Sequence, residues 1–178
     1  MNFFIQANTP QKTGVFESDD YDLSTAIETI FPMLTEDAIL VWNHIYVPLS
    51  YKYDISCMME DIIKMLNSIR LSFSGELEIR WPSNTFESKW HIKWANGVIT
   101  VISFWETVVG DTVDLLNSKN KFTMETEKFM NEWKRLMGNV LEALLFSGYN
   151  PNELSGMDKL IDEYEAIKKS GVLYEIGI

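Results

Sequence analysis

The sequence predicts an α+β fold, an antiparallel β-sheet packed against helices, within one domain spanning residues 1–178. Three observations carry that expectation. Residues 76–81 and 89–94 alternate apolar with charged side chains at period two, as half-buried strands do. Asn96-Gly97 follows, a pair tolerant of positive φ that closes two-residue hairpins. Residues 55–69 and 129–144 instead repeat their apolar side chains at helical spacing.

Taken in order, Phe3 to Ala7 reads as a short edge strand. The loop Thr9–Gly14 and the acidic stretch Glu17-Ser18-Asp19-Asp20-Tyr21-Asp22 follow it. Leu23, Ile27, Ile30 and Phe31 then recur at helical spacing, and Pro32 marks the stop. Residues 38–53 are rich in β-branched and aromatic types. They read as one bent strand or two short ones, with Pro48 at an edge or bulge because it has no N–H for a ladder. Asp54 or Ser56 is the expected cap of the next helix, whose buried stripe is Ile55, Met58, Ile62, Met65, Leu66 and Ile69.

The centre fixes a register. Leu77, Ile79 and Trp81 face one way, and Glu76, Glu78 and Arg80 the other, before Pro82-Ser83-Asn84 turns the chain. Closing a two-residue loop at Asn96-Gly97 pairs Ala95 with Val98, hence Trp94 with Ile99 and Ile92 with Val101 on one buried face. Lys93 then lies opposite Thr100 on the other face, which makes an antiparallel meander. Thr123 or Thr126 is placed to cap a long helix with the stripe Phe129, Trp133, Met137, Val140, Leu141 and Leu144, ended by Gly148. Ser155-x-x-Asp158 resembles a capping box for a last helix bearing Leu160, Ile161, Tyr164 and Ile167, which Ser170-Gly171 stops.

The charge excludes several function classes. The net charge is −11, and residues 1–60 carry nine acids against Lys12 and Lys52 alone. A nucleic-acid binder needs basic surface to displace phosphate counterions, and docking on anionic lipid needs the same sign. An acidic surface instead suits a basic protein partner, whose encounter it speeds. No apolar run reaches the length of a membrane span, the N-terminus lacks the pattern of a secretory signal, and the one cysteine cannot form an internal disulfide. A cytoplasmic protein is expected.

No chemistry-bearing motif stands out. Two histidines, His44 and His91, and Cys57 supply no zinc set, so no metal is expected. Asp19-Asp20-Tyr21-Asp22 lacks the spacing of a calcium loop. No nucleophile elbow or phosphate-binding glycine loop occurs, so no cofactor and no catalytic residue are expected. Cys57 sits beside an apolar helical stripe and reads as a buried, inert thiol. Glu76 and Glu78 share a strand face, as a hydrolytic carboxylate pair would. Arg80, Lys89 and Lys93 on the same side explain them as cross-strand charge pairs. Of the six tryptophans, Trp81, Trp90, Trp94 and Trp133 fall in phase with core positions, whereas phase does not settle Trp42 and Trp105. Tyr46, Tyr51 and Tyr53 are the aromatics expected nearest the surface.

The acidic stretch is therefore the candidate site. Glu17, Asp19, Asp20 and Asp22 crowd six residues without one base, and Tyr21 offers an aromatic anchor among them. Asp22 can cap the following helix, but a cap needs one carboxylate, not four. Reversing Asp19 and Asp20 to Lys is expected to slow association with a partner while sparing stability.

The segments Leu40-Val-Trp-Asn-His-Ile45, Trp81-Pro-Ser-Asn84, Trp90-His-Ile-Lys-Trp94, Ser103-Phe-Trp-Glu106 and Gly171-Val-Leu-Tyr174 give the chain a wider likeness. It resembles the immunity proteins of bacterial polymorphic toxin and contact-dependent inhibition systems, which are short, acidic, Trp- and Tyr-rich cytoplasmic proteins. The resemblance implies that the chain is no enzyme and that its partner is a cognate, basic toxin domain. Two other readings stand beside it. One is a small enzyme or ligand-binding domain with an unrecognised pocket, and the other is a scaffold subunit that pairs through an edge strand.

Overall fold

In the computed structural model, residues 2–167 are described. The Ser170-Gly171 stop and the segment Gly171–Tyr174 lie outside them. Among the described residues, seven strands and five α-helices form an α+β arrangement, with two antiparallel sheets rather than one.

The smaller sheet has the order β1-β2-β3. Strand β1 (Phe3–Gln6) is an edge, as its sequence suggested. Residues 38–53 divide into β2 (Ala38–Trp42) and β3 (Ile45–Leu49). The turn between them is Asn43-His44, both at positive φ (47° and 70°), which is the left-handed backbone that tight hairpins need. Pro48 sits in β3, the other edge strand, where a missing N–H is harmless. A helix entered through a π-helical turn at Tyr51–Ile55 follows, so its cap falls earlier than expected. Ser50 caps that turn by accepting from Tyr53 N–H, and α2 (Ser56–Leu71) continues it with no side-chain cap of its own. Asp54 is not a helix cap. It is buried and accepts from Ser50 N–H at 2.7 Å and from the Thr85 hydroxyl at 2.5 Å, and Ser83 also donates to it.

The larger sheet has the order β4-β5-β6-β7. Strands β4 (Ser74–Ser83), β5 (Phe86–Ala95) and β6 (Val98–Val108) form the expected meander. Trp94 pairs with Ile99, Ile92 with Val101 and Lys93 with Thr100, with Asn96 and Gly97 at φ 52° and 76° between them. Pro82 and Ser83 extend β4, so the first turn lies at Asn84-Thr85, one step later than expected. The short helix α3 (Val113–Ser118) and strand β7 (Lys121–Glu125) had no clear sequence signature. Thr123 consequently caps nothing. It lies in β7, its hydroxyl 2.9 Å from that of Thr100 on β6.

Helix α4 (Thr126–Ser147) ends at Gly148, whose φ of 96° is the left-handed conformation of a helix stop. Its N-cap position is Glu125, which makes no capping bond, so Thr126 is the first helical residue and not the cap. Helix α5 (Met157–Ala166) likewise starts after Gly156 and not from a Ser155 capping box. Ser155 instead donates its N–H to Tyr21 C=O.

One aromatic core joins both sheets to α4. Phe3 of β1 contacts Trp90 of β5, Phe122 of β7, and Phe129 and Trp133 of α4 at centroid distances of 4.9–6.2 Å. All six tryptophans are buried, Trp42 and Trp105 included. Tyr51 is buried too, contrary to its expected place near the surface, and its hydroxyl donates to Ala7 C=O at 2.6 Å. Tyr46 and Tyr53 are exposed. Cys57 is exposed on α2 rather than buried, because it lies off that helix's core stripe. No described helix is long and apolar enough to cross a membrane.

Candidate functional site

The acidic stretch ends a long loop that runs from β1 to α1 (Leu23–Ile30). Backbone bonds lay this loop across the end of α1. Thr13 N–H donates to Ile30 C=O at 2.9 Å, and Gln11 N–H to the Thr35 hydroxyl at 2.6 Å. The loop crosses the C-terminal turns of α4 as well. Lys12 Nζ reaches the Glu142 carboxylate, 2.5 Å away.

The structure gives the four carboxylates different tasks. Asp22 caps α1. Its Oδ1 accepts from Thr25 N–H at 2.9 Å while its own N–H faces the Thr25 hydroxyl at 3.4 Å, a reciprocal capping box. Asp20 accepts from the hydroxyl of Tyr149, the residue just past the α4 stop. The same hydroxyl accepts from Glu17 N–H at 3.2 Å, and Asp20 N–H donates to Glu17 C=O at 3.2 Å. One buried phenol thus closes the Glu17–Asp20 turn. Its burial, reinforced by the bond to Asp20, pushes the Tyr149 pKa upward. Glu17 and Asp19 remain exposed and form no ion pair among the described residues. Tyr21 is 70% exposed, and its backbone C=O accepts from Ser155 N–H.

Half of the acidic cluster therefore has a folding role, which charge counting alone did not reveal. The other half, with Tyr21, projects from a turn of fixed shape. Sequence reading also missed the apolar neighbours Phe16 and Phe146. A signal existed for each: Phe16 is an aromatic next to an acidic run, and Leu145-Phe146 departs from the buried stripe of α4 just before its glycine stop.

The competing places are occupied by structure. Glu76 lies 2.9 Å from Lys93, and Glu78 2.9 Å from Lys89, across β4 and β5. The hydrogen bond and charge of Lys93 hold the Glu76 carboxyl below its usual range. Arg80 is 2.7 Å from Glu87. His91 stands 3.8 Å from Glu76 at the solvent side of its strand, and His44 is an exposed turn residue. Among the described residues no three His, Cys, Asp or Glu side chains converge as a metal set. A cleft of about 640 Å³ lies between the edge strand β1 and α4, lined in part by Phe4, Gln6, Asn8, Glu132 and Arg135. In it Glu132 accepts from Ile5 N–H at 3.0 Å, and desolvation raises its pKa.

No family model, curated protein or solved structure matches the chain.

Proposed function

We propose that the protein works by binding: it neutralises a cognate, basic toxin domain in the cytoplasm, as immunity proteins of polymorphic toxin systems do. The observation that supports this reading best is the Glu17–Asp20 turn. Tyr149 holds it in one shape, yet the Glu17, Asp19 and Tyr21 side chains are exposed, and the two carboxylates form no ion pair among the described residues. Preformed acidic surface of this kind recruits a basic protein quickly and orders little on binding. A toxin that acts on phosphate esters would present the required positive groove, and the carboxylates would stand in for phosphate.

The reading predicts that a neighbouring reading frame encodes a large secreted protein, whose C-terminal domain is the toxin to test. Expressed alone in a bacterial host, that domain should arrest growth, and co-expression of this chain should restore it through an isolable complex. Growth arrest that persists beside folded, abundant chain would contradict the proposal. The β1–α4 cleft favours one second reading, a ligand-binding domain, since its volume falls in the range of small-molecule sites. A small molecule retained through purification and displaced by Arg135→Ala would support it.

A further inference from the structure

We infer that the apolar side chains beside the acidic turn, Phe16 and Phe146, form the centre of the docking face, and that its occupant is a basic protein surface bearing an exposed apolar side chain. This rests on reading the acidic loop as a partner-binding surface. Phe16 is 47% exposed and Phe146 67%. They belong to two different segments, and residues 12–16 of the loop carry the one and lie against the other. Lys12 Nζ lies 5.9 Å from the centre of the Phe146 ring. Gly14, at φ 68°, lies against that ring so closely that a Cβ there would stand 3.0 Å from it. The Phe16 ring is 4.8 Å from that of Tyr149, whose hydroxyl binds Asp20.

Folding does not require these positions to be apolar. On α4 the buried side chains at this end are Leu144 and Ser147, and Phe146 points away from them. Clustered exposed aromatics on a chain this acidic are interface anchors rather than core. The surrounding charge decides what they anchor. The basic residues among the first 60 are Lys12, which Glu142 neutralises, and Lys52, whose Nζ donates to Glu28 C=O, while Glu17 and Asp19 add negative charge beside the patch. An anionic membrane or an acidic protein would be repelled, and a basic protein surface would be complementary.

The probe is a synthetic peptide of alternating Lys and Phe, titrated into the isotope-labelled full chain, with Lys/Ser and Glu/Phe peptides of equal length as controls. The Lys/Phe peptide should shift amide signals within 11–20 and 142–149 and bind at least about tenfold more tightly than either control. Phe146→Ser and, independently, Phe16→Ser should each weaken it by about tenfold, with unchanged circular dichroism. Phe104→Ser, at an exposed ring on the larger sheet, should leave it unaltered. Equal binding of the Lys/Ser peptide, shifts confined to other segments, or an equal effect of Phe104→Ser would overturn the inference. A chain that binds the peptide here yet fails to rescue growth keeps this face and loses the immunity reading. Rescue that is undiminished by both Phe variants does the reverse.

Discussion

Tyr149 shows how much one hydroxyl can organise. Tyr149→Phe removes an acceptor for Glu17 N–H and a donor to Asp20 while leaving the ring in place. The expected loss in urea denaturation is about 1–2 kcal/mol, with the Glu17–Asp20 amides losing protection from hydrogen exchange. Unchanged exchange there would mean that the turn holds its shape without the phenol. Asp20→Lys carries a similar penalty, so Asp20 is not the stability-neutral position that its place in an acidic run suggested. A second phenol sets the alkaline limit. Burial raises the Tyr51 pKa from 10.0 to about 12, against the opposing pulls of the Asn139 hydrogen bond and the Arg135 charge. The unfolded chain therefore loses this proton first. The contribution is complete below pH 10 and is lost as pH rises from there toward 12, with Tyr149 shifted in the same direction. Urea midpoints should be flat from pH 8 to 10 and fall above, less steeply in Tyr51→Phe. A flat profile up to pH 12 would contradict the assignment.

At the scale of elements, the best-read part is the one whose signals are local. Period-two alternation and Asn96-Gly97 specify the β5–β6 register without reference to the rest of the chain, and the pairs Trp94–Ile99 and Ile92–Val101 follow. Ile92 is fully buried, so Ile92→Ala should cost about 2–5 kcal/mol, read from thermal or urea unfolding. A loss below about 1 kcal/mol would place that side chain outside the core. What escaped reading depends on distant partners. In β7, Phe122 and Met124 offer two apolar residues in five, and it is a strand because β6 pairs with it. The turn Asn43-His44 hid because histidine is not a turn former, and its Asn43 side chain is held by Lys119 and Lys121 carbonyls far along the chain. Helices α2 and α5 are joined by another non-local device. Glu163, with a side chain 2% exposed, takes two bonds from Arg70 and one from Asn67. Arg70→Ala leaves that carboxylate buried and largely uncompensated, an expected loss of about 3–5 kcal/mol. A loss near that of an exposed surface pair would show that water reaches Glu163.

Across the whole molecule, the candidate site was legible as charge and illegible as shape. Counting acids located Glu17, Asp19, Asp20 and Asp22, but nothing near them in sequence shows that Tyr149, more than 120 residues away, folds the turn. Nor could spacing distinguish the two structural carboxylates from the two exposed ones. The central claim is that this face meets a basic partner, and association kinetics address it most directly. The measurement is the association rate with the toxin domain that the proposal predicts, for wild type, Glu17→Lys and Asp19→Lys, across a salt series. Both side chains are exposed and form no ion pair among the described residues, so melting temperatures should match the wild type. The account predicts that each reversal slows association several-fold at ~10 mM salt and that the three curves converge near ~1 M, where the screening length falls to ~3 Å. Rates that stay equal to wild type at every salt concentration would contradict it.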